Sequence, residues 1–211
     1  MIRLTRSLFL ASFITLVGGC AVGVTHQYDD GTPDIKASVG TRLSVGVHDR
    51  RPYVLSKRKP ETFVGLARGG FGNSFDVNTA FGNPKADDFA KTIQSAVSAK
   101  GVKSTIVGLS SGIDETGAVK RPALSGGKVA LVILQEWKAD TNMNTALDYD
   151  IQAAIIDASG KVFSRKTIVG MDNLGGGSAV SPPDHSRIAV PAAFRGKLEE
   201  LPLFPEIAGI I

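Results

Sequence analysis

Residues 128–137 read KVALVILQEW, the most apolar run of the chain beyond its N-terminal leader, and they decide the fold. A continuous stretch of aliphatic residues this short predicts a central strand covered on both faces. Two more strand-like runs follow closely, Leu147 to Asp157 and Lys161 to Gly170, separated by the turn sequence Asp157-Ala158-Ser159-Gly160. Three successive strands with short connections predict an antiparallel meander.

Working outward, residues 38–47 place Val39, Thr41, Leu43, Val45 and Val47 on one side of a strict alternation, the signature of another strand. The clearest helix covers 84–100. Asn83 suits its N-cap, Pro84 its first position, and Asp87 and Asp88 its first turn, while Ala86, Phe89, Ala90, Ile93, Ala96 and Val97 form one apolar stripe. Residues 102–109 (VKSTIVGL) predict a strand, and the glycine-rich stretch 62–83 predicts a loop followed by a short strand around Phe75–Thr79. Residues 110–127 read as a loop and 172–184 as a breaker segment. A closing helix is expected from about Pro191 to Leu201, offering Ala192, Phe194, Leu198 and Leu201 to the sheet. The expected fold is α+β, a mostly antiparallel sheet with two helices packed on one face. Its expected core includes Val45, Phe89, Ile93, Leu131, Ile133, Ile155 and Phe194.

The N-terminus reads as an address. Arg3 and Arg6 form a positive n-region, and Leu8 to Val17 form an apolar run too short to span a bilayer of about 30 Å comfortably. Leu16-Val17-Gly18-Gly19-Cys20 then resembles the bacterial lipobox: an aliphatic residue, two small residues and a cysteine. That resemblance implies diacylglyceryl transfer to the Cys20 sulfur, cleavage before Cys20, and acylation of the new N-terminus with palmitate-like chains. A lone cysteine suits this use, since its thiolate is the side-chain nucleophile best fitted to alkylation. Ala21 is not the aspartate that marks inner-membrane retention in the lipoprotein sorting rule, so the periplasmic face of the outer membrane is the expected location. The expected organisation is a signal peptide over 1–19, a lipidated tether over 20–36, and one α+β periplasmic domain over 37–211.

Composition narrows the function. The chain has 211 residues, 43% hydrophobic and 21% charged, enough for one domain with a real core and too apolar for a disordered chain. Net charge is +4, or +2 once Arg3 and Arg6 leave with the signal peptide, so the basic pI of 9.2 is no nucleic-acid signature. One cysteine excludes a disulfide framework, and three scattered histidines offer no metal-ligand spacing. Gly108-Leu109-Ser110-Ser111-Gly112 matches the Gly-x-Ser-x-Gly nucleophile elbow, which needs a helix immediately after its strand. Ile113 to Pro122 carries Gly117 and Pro122 and no helical stripe, and no histidine is placed to complete a triad. The glycines at 65–72 and 175–177 lack the lysine of a phosphate loop. No enzyme, metal or cofactor is expected.

A basic cluster is the one candidate contact surface. Arg50, Arg51, Lys57, Arg58 and Lys59 crowd residues 48–59, with only Asp49 as counter-charge. These side chains are candidates to meet anionic head groups or an acidic partner protein. The competing reading is a solvated loop in which Arg50 or Arg51 pairs with Asp49 or a neighbouring carboxylate.

Leu43-Ser44-Val45-Gly46-Val47-His48-Asp49-Arg50-Arg51 runs a strand straight into Asp-Arg soon after the lipobox cysteine. With the helix 84–100, the strand ending Gln135-Glu136-Trp137 and the closing helix, this resembles the YajG-type family of outer-membrane lipoproteins over roughly 38–205. More distantly it is similar to the α/β domains of envelope assembly lipoproteins. The glycine-rich stretch 65–83 departs from that pattern. The resemblance implies an envelope-facing, non-enzymatic domain and carries over no catalytic residue. The expected function is a lipid-anchored interaction or assembly module with the membrane and an envelope protein as partners. The alternative is a ligand-binding auxiliary lipoprotein of an envelope transport system.

Overall fold

The computed structural model describes residues 23–29, 31–35, 42–69, 72–123, 127–176 and 182–201. The lipobox with Cys20, the positions Val39 and Thr41, and Phe71 lie outside the described residues. Along the chain run β1 (Thr25–His26), β2 (Arg42–Asp49), α1 (Pro52–Leu55), β3 (Phe63–Arg68), β4 (Ser74–Thr79), α2 (Lys85–Ala99) and β5 (Lys103–Gly108). Then follow α3 (Glu115–Ala123), β6 (Lys128–Thr141), β7 (Thr145–Ile156), β8 (Val162–Asn173) and α4 (Pro182–Glu200).

Among the described residues all eight strands belong to one sheet organised on β6. One edge of β6 pairs along its length with β7, which pairs in turn with β8, and this is the expected meander. The other edge is shared. β2 lies parallel to its first half, Leu43 beside Lys128 through Asp49 beside Leu134, and β3 lies parallel to its second half, Gly65 beside Ala139. β5 extends the sheet beyond β2, also parallel, and β4 and β1 extend it beyond β3. Four of the seven pairings are therefore parallel, which corrects the expectation of a mostly antiparallel sheet: the sheet is mixed. The reason shows in β2, buried from Leu43 to Asp49 with α2 on one face and α3 toward the other, as parallel strands generally are.

α2 and α4 border one large core, where Val45, Phe89, Ile93, Ile155 and Phe194 are buried as expected. α3 covers a smaller cluster on the opposite face with Val129, Leu131, Ala154 and Ile156. Leu131 and Ile133 belong to that second face, and Ile133 is only half-buried, a correction that follows from strand alternation: Val132 and Leu134 point the other way into the main core.

Three further expectations are corrected. The loop over 110–127 contains α3, because Asp114 caps it by accepting from the Gly117 N–H at 2.7 Å, outweighing the composition at Gly117 and Pro122. The glycine-rich loop contains β3: a Cβ at Gly65 would overlap the carbonyl oxygen of Ala139, so glycine there permits strand pairing rather than looseness. The breaker segment overlaps α4, which begins at Pro182, nine residues before the expected start.

The expected tether over 20–36 is not a tether in its described part. Val24, His26, Tyr28 and Ile35 are buried, and β1 pairs with β4. The folded domain thus begins by Val24 rather than at Ala37. The segment is short of large apolar residues, but Val24, His26 and Tyr28 alternate along it and are buried.

Candidate functional site

The basic cluster is taken apart by the fold. β2 gives way to β3 along β6 opposite a bulge between Leu134 and Glu136, and Arg51 sits at that junction, fully buried. Its Nε and Nη2 donate to the two carboxylate oxygens of Asp49 at 2.9 and 2.7 Å. Its Nη1 and Nη2 also donate to the carbonyls of Phe63 and Glu61 at the start of β3. Tyr53 on α1 closes the corner by donating to Glu136 at 2.6 Å and to the Trp137 carbonyl at 3.1 Å. Arg51 is a structural group whose burial alone would lower its pKa, and the Asp49 hydrogen bonds and charge reverse the sign. It is not available to a partner.

Lys59 is engaged as well. Its ammonium donates to both oxygens of Asp76 at 2.5 and 2.6 Å and lies 4.9 Å from the centre of the Phe63 ring. Arg50 is half-buried, with its backbone N–H on the Leu134 carbonyl. Lys57 and Arg58 project outward, both exposed, with Arg58 Nε donating to Ser56 Oγ at 3.1 Å. Lys57 has a φ of 57°, a left-handed backbone that costs a non-glycine residue roughly 1 kcal/mol or more. The corner holds that conformation through the Lys57 N–H bonded to the Val54 carbonyl and the Lys59 N–H bonded to the Tyr53 carbonyl.

A second constellation was not singled out in the sequence. Lys85 opens α2 fully buried, its Nζ 2.7 Å from the centre of the Tyr28 ring and 3.8 Å from that of Phe194. Phe89 and Trp137 stand behind them at 5.1 and 5.4 Å. These four rings pack edge-to-face, the arrangement that aromatic quadrupoles favour. The amine makes no hydrogen bond, and its nearest carboxylate oxygen, on Asp88, is 3.9 Å away. Burial drives the Lys85 pKa well below its ordinary 10.5, with Asp88 opposing. Burial also raises the Asp88 carboxyl to about 6, against the pull of Lys85 and Lys91.

The cage continues into a short polar chain. The Trp137 indole N–H donates to the Tyr28 hydroxyl at 3.1 Å, and that hydroxyl pairs with His26 Nδ1 at 3.4 Å. Ser186 Oγ donates to the Pro183 carbonyl at 2.9 Å, so it accepts from His26 Nε2–H at 3.4 Å, which leaves Nδ1 to accept from Tyr28. Burial, helped by the charges of Lys85 and Arg187, pushes the His26 pKa down to about 3. Lysine in a helix's first turn ordinarily points to solvent. The one sequence clue was the supply of aromatic residues, and its partner Tyr28 lay in the segment read as a tether.

The elbow motif has its helix after all, since α3 follows β5. Ser110 is exposed, and Ser111 Oγ donates to Glu61 at 2.7 Å rather than to a histidine. Among the described residues no three His, Cys, Asp or Glu side chains cluster as metal ligands, and no helix is long and apolar enough to cross a membrane.

No family model matches the chain, and no curated protein matches it either. Among solved structures it is similar to a Xanthomonas campestris protein of family DUF330, 12% identical, covering 84% of this chain and 89% of that one with a TM-score of 0.46. It is also similar to the PelC dodecamer subunit from Paraburkholderia phytofirmans (12% identity, 82% and 94% coverage, TM-score 0.41). A third is lipoprotein GNA1162 from Neisseria meningitidis (9% identity, 77% and 98% coverage, TM-score 0.29). At these scores the likenesses carry no argument about what the chain does.

Proposed function

We propose that this chain is a lipid-anchored module of the bacterial cell envelope, held through acylated Cys20 at the periplasmic face of the outer membrane and acting by interaction rather than catalysis. One observation carries the reading: Leu16-Val17-Gly18-Gly19-Cys20 follows a positively charged, apolar leader, and Cys20 stands four positions before Val24, the first buried residue among the described ones. The resemblance to YajG-type lipoproteins belongs to the same reading. The contact surface we assign is the outer corner after β2, where the buried Arg51–Asp49 pair fixes a base and Lys57 and Arg58 project from it. An acidic envelope protein is the partner that such a fixed pair of cations fits.

Mass spectrometry of membrane-extracted protein tests the anchor: the chain is expected to begin at Cys20 with added acyl mass. An intact Met1 or unmodified Cys20 in a processing-competent host refutes it. Crosslinking in intact envelopes tests the corner. Lys57→Ser with Arg58→Ser should weaken capture of the partner without changing stability, and unchanged capture at low salt removes the corner from the proposal.

A further inference from the structure

β8 is the last strand on its side of the sheet, and among the described residues nothing pairs with its outer edge. It runs for 12 residues, from Val162 to Asn173. Edges of that length are ordinarily blunted by proline, by a bulge or by charge along the strand. β8 holds no proline, and its one irregular pairing lies at its start, opposite Ile155 and Ile156. Its two cations, Arg165 and Lys166, sit side by side in its first half.

The hydrogen bonding of this edge follows from one contact. The Leu174 N–H donates to the Thr145 carbonyl, one step beyond the pair of Asn173 with Ala146. Antiparallel strands bond at alternate residues, so the even-numbered residues of β8 spend their backbone groups on β7. Arg165, Thr167, Val169, Met171 and Asn173 hold theirs toward the open edge. Val169 and Met171 are also 69% and 71% exposed, on a sheet face where their β7 neighbours are Asp150 and Asp148. These two large apolar side chains stand together on the edge and pack into no core.

Charge selects both the occupant and its register. Two antiparallel β8 strands join their free backbone groups only where odd residues oppose odd ones. Centred on Val169, the pairing opposes Thr167 to Met171, Arg165 to Asn173 and, on the other face, Lys166 to Asp172. A shift of two residues either way moves Lys166 opposite Gly170 or Leu174 and loses both ion pairs. Parallel pairing in register would oppose each cation to its own copy. Both charges are already held in place, since Lys166 donates to the Glu200 carbonyl at 2.9 Å and Lys197 pairs with Asp172 at 2.9 Å.

We propose that β8 is a self-association edge, pairing antiparallel with β8 of a second copy about a twofold axis at Val169. One sheet then runs through both copies. A strand pair reaching from Arg165 to Asn173 is small beside the roughly 1,200 Å² of standard interfaces, so the dimer is weak, with Kd about 10–100 µM.

Analytical ultracentrifugation of the full-length chain in mild detergent should show that monomer–dimer equilibrium. Val169→Pro removes an N–H that β7 does not use, so circular dichroism should stay native while the dimer is lost. Lys166→Glu should weaken association about tenfold. Cysteine pairs in a Cys20→Ser chain read the register and decide alone if the proline variant unfolds. Val169→Cys should oxidise to a covalent dimer, its two Cα atoms lying about 5.5 Å apart. Met171→Cys should not, with its copies about 14 Å apart, but should crosslink when mixed with Thr167→Cys. Hydrogen exchange at Thr167, Val169 and Met171 should slow as protein concentration rises. The proposal is overturned if the chain stays monomeric at about 500 µM, if Val169→Pro folds and associates as the parent does, or if Met171→Cys crosslinks as readily as Val169→Cys. Equal protection of those amides at every concentration would also overturn it, and would show the edge covered by another segment of the chain, such as 202–211. None of these outcomes depends on acylation of Cys20.

Discussion

Replacing Lys85 by methionine should make the protein more stable and remove most of its response to mildly alkaline pH. The native amine is fully buried among Tyr28, Phe89, Trp137 and Phe194, makes no hydrogen bond, and has its pKa driven well below 10.5 by burial. In the unfolded chain the same amine titrates near 10.5. Between those two pKa values the unfolded state binds the extra proton, so stability rises with pH, by up to about 1.4 kcal/mol per pH unit inside the window. Two units, from pH 7.5 to 9.5, thus correspond to a gain of up to about 2.7 kcal/mol if the native amine is neutral throughout. The gain ends near pH 10, where burial of Tyr28 raises its own pKa and makes further alkali destabilising. Methionine keeps the length of the side chain, carries no proton, and makes favourable sulfur–ring contacts. Urea unfolding at pH 7.5, 8.5 and 9.5 suits the measurement, because the single tryptophan, Trp137, stands in the cage and reports its opening by fluorescence. The parent midpoint should climb over this series, while that of Lys85→Met starts higher, by about 2 kcal/mol in stability, and stays nearly flat. A flat parent curve, with the methionine variant the less stable of the two, would refute the reasoning and show an ammonium held charged by the rings.

The same linkage acts with opposite signs on the acid side. His26, lowered to about 3, loses stability for the protein as pH falls below 6.5, whereas Asp88, raised to about 6, contributes stability that is lost as pH rises through 6. The two offset between pH 6 and 4, so Asp88→Asn should expose a fall in melting temperature over that range that the parent does not show. Arg51→Ala leaves the Asp49 carboxylate buried without its partner and should cost about 3–5 kcal/mol in urea unfolding, whereas Lys57→Ser and Arg58→Ser should each stay within about 0.5 kcal/mol. A chain begun at Ala37 lacks Val24, Tyr28 and Ile35 and exposes Trp137 and Phe194; Tyr28→Ala alone should cost about 3–5 kcal/mol, and native-like near-UV circular dichroism from the shortened chain would contradict the packing described.

How much of this was legible differs by element, for physical reasons. α2 announced itself because its acidic first turn and its apolar stripe are local signals, although Pro84 rather than Asn83 stands at its N-cap and no side chain caps it. The β6–β7–β8 meander was equally plain, since neighbours in sequence became neighbours in the sheet. Parallel pairing of β2 and β3 to β6 was hidden because it joins segments some 70 residues or more apart and leaves no pattern in either. β3 was masked by Gly65, whose absent side chain is needed for contact with Ala139 and looks, in sequence alone, like a loop signal. The basic cluster was visible as charge, but the Phe63 and Glu61 carbonyls that join Asp49 in holding Arg51 inward meet it only in the fold.

The early start of the folded domain has a consequence for how it sits on a bilayer. With Cys20 acylated, four residues separate the lipid from buried Val24, a leash of about 14 Å at full extension. A tether reaching to Ala37 would let the domain tumble far from the surface; so short a leash would hold its attached end within a few Debye lengths of the head groups at physiological salt. On that anchoring the end that carries β1 would stay turned toward the membrane, and a large share of orientations would be forbidden before any partner arrives. A partner sharing that leaflet then searches in two dimensions for a surface already facing within a narrow range of directions.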